Sequence, residues 1–275
     1  MPICGVLGWP VRHSRSPAMH EAGYRALGLD DWRYQLLPVP PELFEETVRG
    51  LPTTGFAGGA PGFIGANVTI PHKEAALAVA DEATDAARAI GAANTLTFHV
   101  DGRIHADNTD APGLLDALPL DPAGQTAVVL GAGGSARAVV WALVNAGAAE
   151  VLVWNRTGER AERLCAEIGG RPIQAPLPAA DLLVNTTSVG LRTEDPFKAL
   201  PLGVDAIDGY PCLVDLVYGS GPTALVSAAQ AAGATVVDGL EVLVRQGARS
   251  FERWTGQAAP LDVLRAAARG IAAPA

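Results

Sequence analysis

The sequence predicts an α/β protein built from two domains with mainly parallel sheets. Three observations carry this. Short apolar runs alternate with helical-period segments along the chain, the signature of βαβ units. A glycine cluster, Gly131-Ala132-Gly133-Gly134, stands where one such run hands over to a helix. At 275 residues and 49% hydrophobic content, the chain is long enough to divide into two cores.

In the N-terminal half, Ile3–Gly8 reads as a buried strand and Ser16–Leu27 as a helix, with Pro17 in its first turn and Gly28 past its end. Tyr34–Val39 reads as a strand, Pro41–Arg49 as a helix, and Phe63–Ile70 as a third strand entered through the glycine-rich loop Gly55–Gly62. Two short helical stretches, His72–Val79 and Ala83–Ile90, precede a hairpin of Asn94–Val100 and Arg103–Ala106 with Asp101-Gly102 as a two-residue turn. A helix Asn108–Leu118 ends at Pro119, and Pro119–Gly124 is the linker candidate.

The second half repeats the alternation. Thr126–Leu130, Glu150–Trp154, Arg171–Gln174, Asp181–Thr186, Cys212–Tyr218 and Ala234–Val237 read as strands, with helices at Ser135–Asn145 and Thr157–Ile168. The tail, Leu240–Trp254 and Leu261–Ala272, reads as helix with no strand after it, so it either caps the second sheet or crosses back to the first domain.

Composition narrows the function classes. A charged fraction of 18% with this apolar content excludes disorder. The longest apolar stretch, Thr126–Ala149, is interrupted by Arg137 and the glycine cluster, whereas a membrane span needs about 20 apolar residues in a row. The opening MPICGVLGWP has neither a basic n-region nor a cleavage site, so no export signal is expected. Cys4, Cys165 and Cys212 are odd in number and form no CxxC, which suits reduced thiols in the cytoplasm. A net charge of -9 argues against nucleic acid or an anionic membrane as the main partner. Lys73 and Lys198 are the only lysines among 20 basic residues. His13, His20, His72, His99 and His105 form no HxxxH or HExxH pattern, so no metal site is expected; neither a GxSxG elbow nor a Walker A loop occurs.

The motif Val128–Ala136 has the strand, glycine spacing and helix of a dinucleotide fingerprint. Gly131 allows the tight turn, Gly133 lets backbone N–H groups approach a pyrophosphate, and the helix from Ser135 offers its N-terminal partial charge. Ala136 replaces the usual third glycine. The next strand ends in Asn155-Arg156-Thr157, with Arg160 one turn on and no acid at the tip. A guanidinium pairs with a 2′-phosphate and a carboxylate repels it, so NADP is favoured over NAD; a solvated Arg at a helix start is the plainer reading of Arg160.

Three further segments can carry chemistry. Ser14 and Ser16 precede a helix and offer hydroxyls for a carboxylate, or simply an N-cap. Thr69 and Lys73 follow the third strand, on the side where open α/β sheets bind ligands. Asp110, in Asn108-Thr109-Asp110, and Lys73 would form an acid/base couple if the fold brought them together; otherwise they are a surface lysine and a helix N-cap.

In this order the segments resemble the shikimate dehydrogenase family: Gly8–His20, Gly65–Lys73, Gly91–Leu96, Asn108–Gly113, Gly131–Arg137, Asn155–Arg160, Asn185–Gly190, Asp215–Tyr218 and Asp238–Gly256. The resemblance implies a substrate domain, 1–118 with 240–275 returning to it, and a Rossmann-type NADP domain, 119–239. It also implies roles. Ser14 and Ser16 would hold the substrate carboxylate, and Thr69, Asn94, Asp110, Tyr218 and Gln246 the rest of the substrate, with Lys73 catalytic and Asp110 its partner. Gly131, Ala132, Gly133, Gly134, Ser135, Asn155, Arg156, Thr157, Arg160, Leu216 and Gly239 would bind the cofactor. Leu216 and Val242 stand where the family often has Met, apolar exchanges that bear on the fit around the nicotinamide. The implied reaction is NADPH-dependent reduction of 3-dehydroshikimate to shikimate, by a monomer or a homodimer.

Two alternatives stay open at this point. One is a quinate/shikimate dehydrogenase with broader substrate or NAD use, which an acid at the strand tip would favour. The other is a non-catalytic NADP-binding sensor, in which Lys73 and Asp110 would be dispensable.

Overall fold

The structure is a computed structural model describing residues 1–53, 62–191, 195–219 and 221–271; apart from Gly62, the expected loop Gly55–Gly62 lies outside the described residues. Packing divides the chain into two compact units, Met1–Gly113 with Leu243–Ala275, and Leu114–Val242.

The first unit contains β1 (Ile3–Gly8), α1 (Ser16–Ala26), β2 (Arg33–Pro38), α2 (Phe44–Gly50), β3 (Phe63–Val68), α3 (Lys73–Val79), β4 (Glu82–Ala83), α4 (Asp85–Ile90), β5 (Thr95–Phe98), β6 (Ile104–Asp107) and the start of α5 (Asp110–Ala117). Its sheet runs β2-β1-β3-β5-β6-β4. β1 pairs in parallel with β2 and β3, and β5 runs antiparallel to β3 and β6. Alternation along the strands splits the core between two faces. Leu7, Ala66, Val68 and Leu96 pack with Phe44, Val48, Ala76 and Val79. Cys4, Val6, Tyr24 and Tyr34 pack with Phe251 and Trp254 from the C-terminal tail. Full burial of each such Leu, Val or Phe contributes about 1.5–3 kcal/mol, so the tail is held by its aromatic side chains.

The second unit contains β7 (Thr126–Leu130), α6 (Gly134–Asn145), β8 (Glu150–Trp154), α7 (Gly158–Ile168), β9 (Arg171–Pro172), β10 (Leu182–Asn185), α8 (Pro196–Ala199), β11 (Cys212–Asp215), α9 (Ala224–Ala231) and β12 (Thr235–Asp238). Its sheet runs β12-β11-β10-β7-β8-β9 with every pairing parallel. The order reverses at β7, flanked by β8 on one side and β10 on the other, which puts the switch point beside the glycine cluster. α10 (Gly239–Thr255) begins in this unit, and from Leu243 onward the chain, with α11 (Leu261–Arg269), belongs to the first. Of the two courses open to the tail, it takes the return to the first unit.

Several expected boundaries shift. The hairpin turn is longer than two residues: His99 N–H donates to the Arg103 carbonyl, and Gly102 takes φ +86° between them. The strand expected over Cys212–Tyr218 stops at Asp215, because the Asp215 carboxylate accepts the Val217 N–H and turns the chain. The third strand stops at Val68, leaving Thr69 and Ile70 in the connection to α3. β4, α8 and α9 have no counterpart in the sequence reading.

Candidate active site

Lys73 opens α3 and Asp110 opens α5, and the two side chains meet: Lys73 Nζ lies 2.6 Å from Asp110 Oδ2, with side-chain exposures of 10% and 17%. The N-cap reading of Asp110 fails for a local reason. Asn108 Oδ1 accepts the Asp110 and Ala111 N–H groups at 3.1 and 3.3 Å, so Asn108 caps the helix and leaves the Asp110 carboxylate to face the lysine. A mostly buried ion pair is expensive unless further donors satisfy it. Asn94 Nδ2 supplies one, 2.8 Å from Asp110 Oδ1.

Asn94 is itself over-determined. Its Oδ1 accepts the Thr109 N–H at 2.7 Å, and its Nδ2 also lies 3.0 Å from Thr109 Oγ1 and 3.1 Å from Gln246 Oε1. Gln246 arrives on α10, 152 residues further along the chain. The fold therefore gathers Lys73, Asn94, Thr109, Asp110 and Gln246 into one polar cluster. Burial lowers the pKa of neighbouring His72, whose Nε2–H donates to the Val39 carbonyl at 2.7 Å.

Ser14 and Ser16 follow β1, at the same end of the sheet as the connection from β3 to Lys73, because the two strands are parallel. Their hydroxyl oxygens are 3.2 Å apart, and Ser14 Oγ accepts the Ser16 N–H at 3.3 Å. The loops after β1 and β3 are stitched together, Thr69 N–H to the Leu7 carbonyl at 2.8 Å and Trp9 N–H to the Ile70 carbonyl at 3.0 Å. Half-buried Thr69 thus sits beside the serine loop. Two serine hydroxyls next to a helix N-terminus suit an anion, and a lysine–carboxylate pair with amide donors suits proton transfer to an oxygen among hydroxyls.

In the second unit, Gly131 takes φ +114°, and a Cβ there would stand 2.5 Å from Thr186 Oγ1, so only glycine fits the turn. Gly133 has open space where a side chain would be, directly before α6. Backbone donors and a helix N-terminus are thus open to a pyrophosphate, with Ala132, Gly134 and Ser135 half-buried around them. At the tip of β8, Asn155 Nδ2 donates to the Thr157 carbonyl at 2.8 Å, and Arg156 and Arg160 are exposed. Glu159, also exposed, is the acid in the first turn of α7 rather than at the tip. Gly239 packs against the Leu216 carbonyl. Half-buried Tyr218 belongs to this unit.

At the end of β11, just before Leu216, fully buried Asp215 accepts from Thr223 Oγ1 at 2.6 Å, Asn185 Nδ2 at 2.9 Å and the Val217 N–H at 3.1 Å; burial still raises its pKa. Sequence reasoning assigned no part to Asp215, Thr109, Asn67 or Thr95. The available signal was a polar residue inside an otherwise apolar strand run, as at Asn67 and Asp215.

The family model for the shikimate dehydrogenase substrate binding domain matches residues 6–96, that for shikimate/quinate 5-dehydrogenase residues 117–189, and that for the shikimate 5′-dehydrogenase C-terminal domain residues 239–269. The chain is 42% identical to the shikimate dehydrogenase (NADP(+)) of Roseobacter denitrificans over 98% of both chains. The crystal structure of shikimate 5-dehydrogenase from Thermus thermophilus in complex with NADP(H) and shikimate is 42% identical, with a TM-score of 0.85 over 98% of this chain and 99% of that one. A ligand-free 5-ketofructose reductase of a Gluconobacter strain is 31% identical, with a TM-score of 0.82 over 98% of both chains. With this identity held along nearly the whole sequence, the chain belongs to the shikimate dehydrogenase family.

Proposed function

We propose that this chain is an NADP-dependent shikimate dehydrogenase of the cytoplasm, interconverting 3-dehydroshikimate and shikimate on the route to aromatic amino acids. The observation that carries the reading is the Lys73–Asp110 pair, 2.6 Å apart, mostly buried and braced by Asn94. In this reading residues 1–118 and 240–275 serve the substrate and 119–239 the cofactor, and no nucleic acid or membrane is a partner. Among the described residues no helix is long and apolar enough to cross a membrane.

When bound, NADPH supplies the hydride. The protein's residues manage the oxygen and its proton. Lys73 Nζ donates to the carbonyl oxygen as it gains charge, and Asp110 holds the ammonium in place and accepts from a ring hydroxyl. Thr69, Asn94 and Gln246 fix the remaining substrate atoms, and the Ser14 and Ser16 hydroxyls take the carboxylate. Gly131–Ser135 would hold the pyrophosphate, Arg156 and Arg160 the 2′-phosphate with Asn155 and Thr157 beside them, and Leu216 and Gly239 the nicotinamide.

The test is absorbance at the nicotinamide band with shikimate or quinate crossed against NADP or NAD. Shikimate with NADP should give the highest kcat/KM. A higher value with quinate would favour the broader quinate/shikimate reading, for which the breadth of the matching family model and the reductase neighbour with another substrate are the specific grounds. No turnover with either substrate would reject the enzyme reading.

A further inference from the structure

Behind Lys73, Asp110 and Asn94 runs a buried line of hydrogen bonds whose far members, Tyr34, Asn67 and Thr95, have no part in the roles above. Tyr34 on β2 donates its O–H to Asn67 Oδ1 at 2.7 Å. Asn67 on β3 donates from Nδ2 to Thr95 Oγ1 at 3.3 Å. Thr95 on β5 donates to Asn94 Oδ1 at 3.1 Å, and Asn94 donates to Asp110 Oδ1 at 2.8 Å. Lys73 donates to the other Asp110 oxygen at 2.6 Å. Every group from Asn67 to Asn94 accepts from the one before and donates to the one after. Such a run is polarised in one direction, so each bond strengthens the next.

Thr95 is the member whose function packing cannot supply. It has 0% exposure, so it does not line the surface offered to a substrate. A hydroxyl carries one proton. With Asn67 donating into Thr95 Oγ1, that proton is available for Asn94 Oδ1. The same oxygen receives the Thr109 N–H at 2.7 Å. Thr109 Oγ1 lies 3.1 Å from that oxygen and 3.2 Å from Thr95 Oγ1. Together the donors on Oδ1 hold the amide with its nitrogen toward the carboxylate; a turned amide would aim oxygen at oxygen.

Resting on the roles proposed for Lys73, Asp110 and Asn94, we propose that Thr95 is a positioning residue of the reaction: its hydroxyl fixes the Asn94 amide and, through it, the Asp110–Lys73 pair. Hydroxyl and methyl contributions are separable. Thr95→Val keeps the shape and loses the donor, Thr95→Cys keeps the approximate size with a weak donor, and Thr95→Ser keeps the donor and loses the methyl.

The experiment measures kcat and both KM values for the parent and the three variants with shikimate and NADP, alongside each melting temperature. Val and Cys should lower kcat about five- to tenfold, the equivalent of one neutral hydrogen bond lost at the transition state. KM for NADP should stay at the parental value, and Ser should keep the parental kcat whatever its melting temperature. A purely packing role reverses the order, with Val near the parent and Ser impaired. Parental kcat in Val or Cys, or a Ser variant as slow as they are, overturns the proposal while the function stands. A parent that does not turn over shikimate overturns the function, and this proposal with it.

Discussion

Asn108 settles what Asp110 can do. Two helix N–H groups need an acceptor at the start of α5; because Asn108 Oδ1 takes both, the Asp110 carboxylate turns to Lys73 and Asn94. Similar single-residue logic applies to the anion sites. Arg156 is exposed, so its pairing with a 2′-phosphate is partly screened. Arg156→Ala should weaken NADP roughly tenfold and leave NAD nearly unchanged, as for a charge-assisted pair open to solvent. The check is kcat/KM for each cofactor at saturating shikimate; equal losses would mean that Arg156 only supports the loop. Ser16 is buried and Ser14 half-buried, so their hydroxyls act in a drier place. The double change to Ala should cost shikimate about 1.5–3 kcal/mol per lost bond to the carboxylate. Calorimetry should show that loss with NADP binding unaltered, and an unchanged shikimate affinity would return both serines to helix capping.

At the scale of elements, the helices set distances that the sequence does not state. α5 and α10 touch where Gly113 meets Gln246: a Cβ at 113 would lie 2.7 Å from both the Cβ and the backbone nitrogen of Gln246. Gly113→Ala should therefore lower stability by about 1–3 kcal/mol, the usual cost of overpacking, and raise KM for shikimate by displacing Gln246. Denaturant unfolding and steady-state rates together check this; normal values in both would mean that the helices part freely. α1 buries His20 in a ring of aromatics, stacked on Tyr34 at 4.2 Å, with neither nitrogen partnered among the described residues. Burial pushes its pKa down to about 3 from 6.5. The unfolded chain then binds a proton below pH 6.5 that the folded chain refuses, so this residue's stabilising contribution falls as pH drops from 6.5 towards 3. The slope is at most about 1.4 kcal/mol per pH unit. His20→Phe should flatten the acid limb of stability against pH relative to the parent, and parallel curves would contradict the assignment. Elements with strong period or punctuation, such as β1, β7 and α6, were legible in the sequence. β11 was read too long because the Asp215 turn is made by a side chain, and two-residue β4 carries no periodic signal.

Across the whole molecule, the sequence made the glycine turn at Gly131 and the individual members Lys73, Asn94, Asp110 and Gln246 legible, Asn94 and Gln246 through family resemblance alone. It did not make their wiring legible. Tyr34, Asn67 and Thr95 stand on three different strands and become neighbours only through the order β2-β1-β3-β5, which depends on pairing rather than local pattern. The central claim is that the Lys73–Asp110 pair delivers the proton of an NADP-dependent shikimate oxidoreduction. The most direct measurement is the kcat of Lys73→Met against the parent with shikimate and NADP, with shikimate affinity measured separately. General acid catalysis contributes about 10²–10⁴-fold, so kcat should fall at least a hundredfold while the variant folds and still binds shikimate. A variant with near-parental kcat and only a raised KM would contradict the account and leave Lys73 a binding residue.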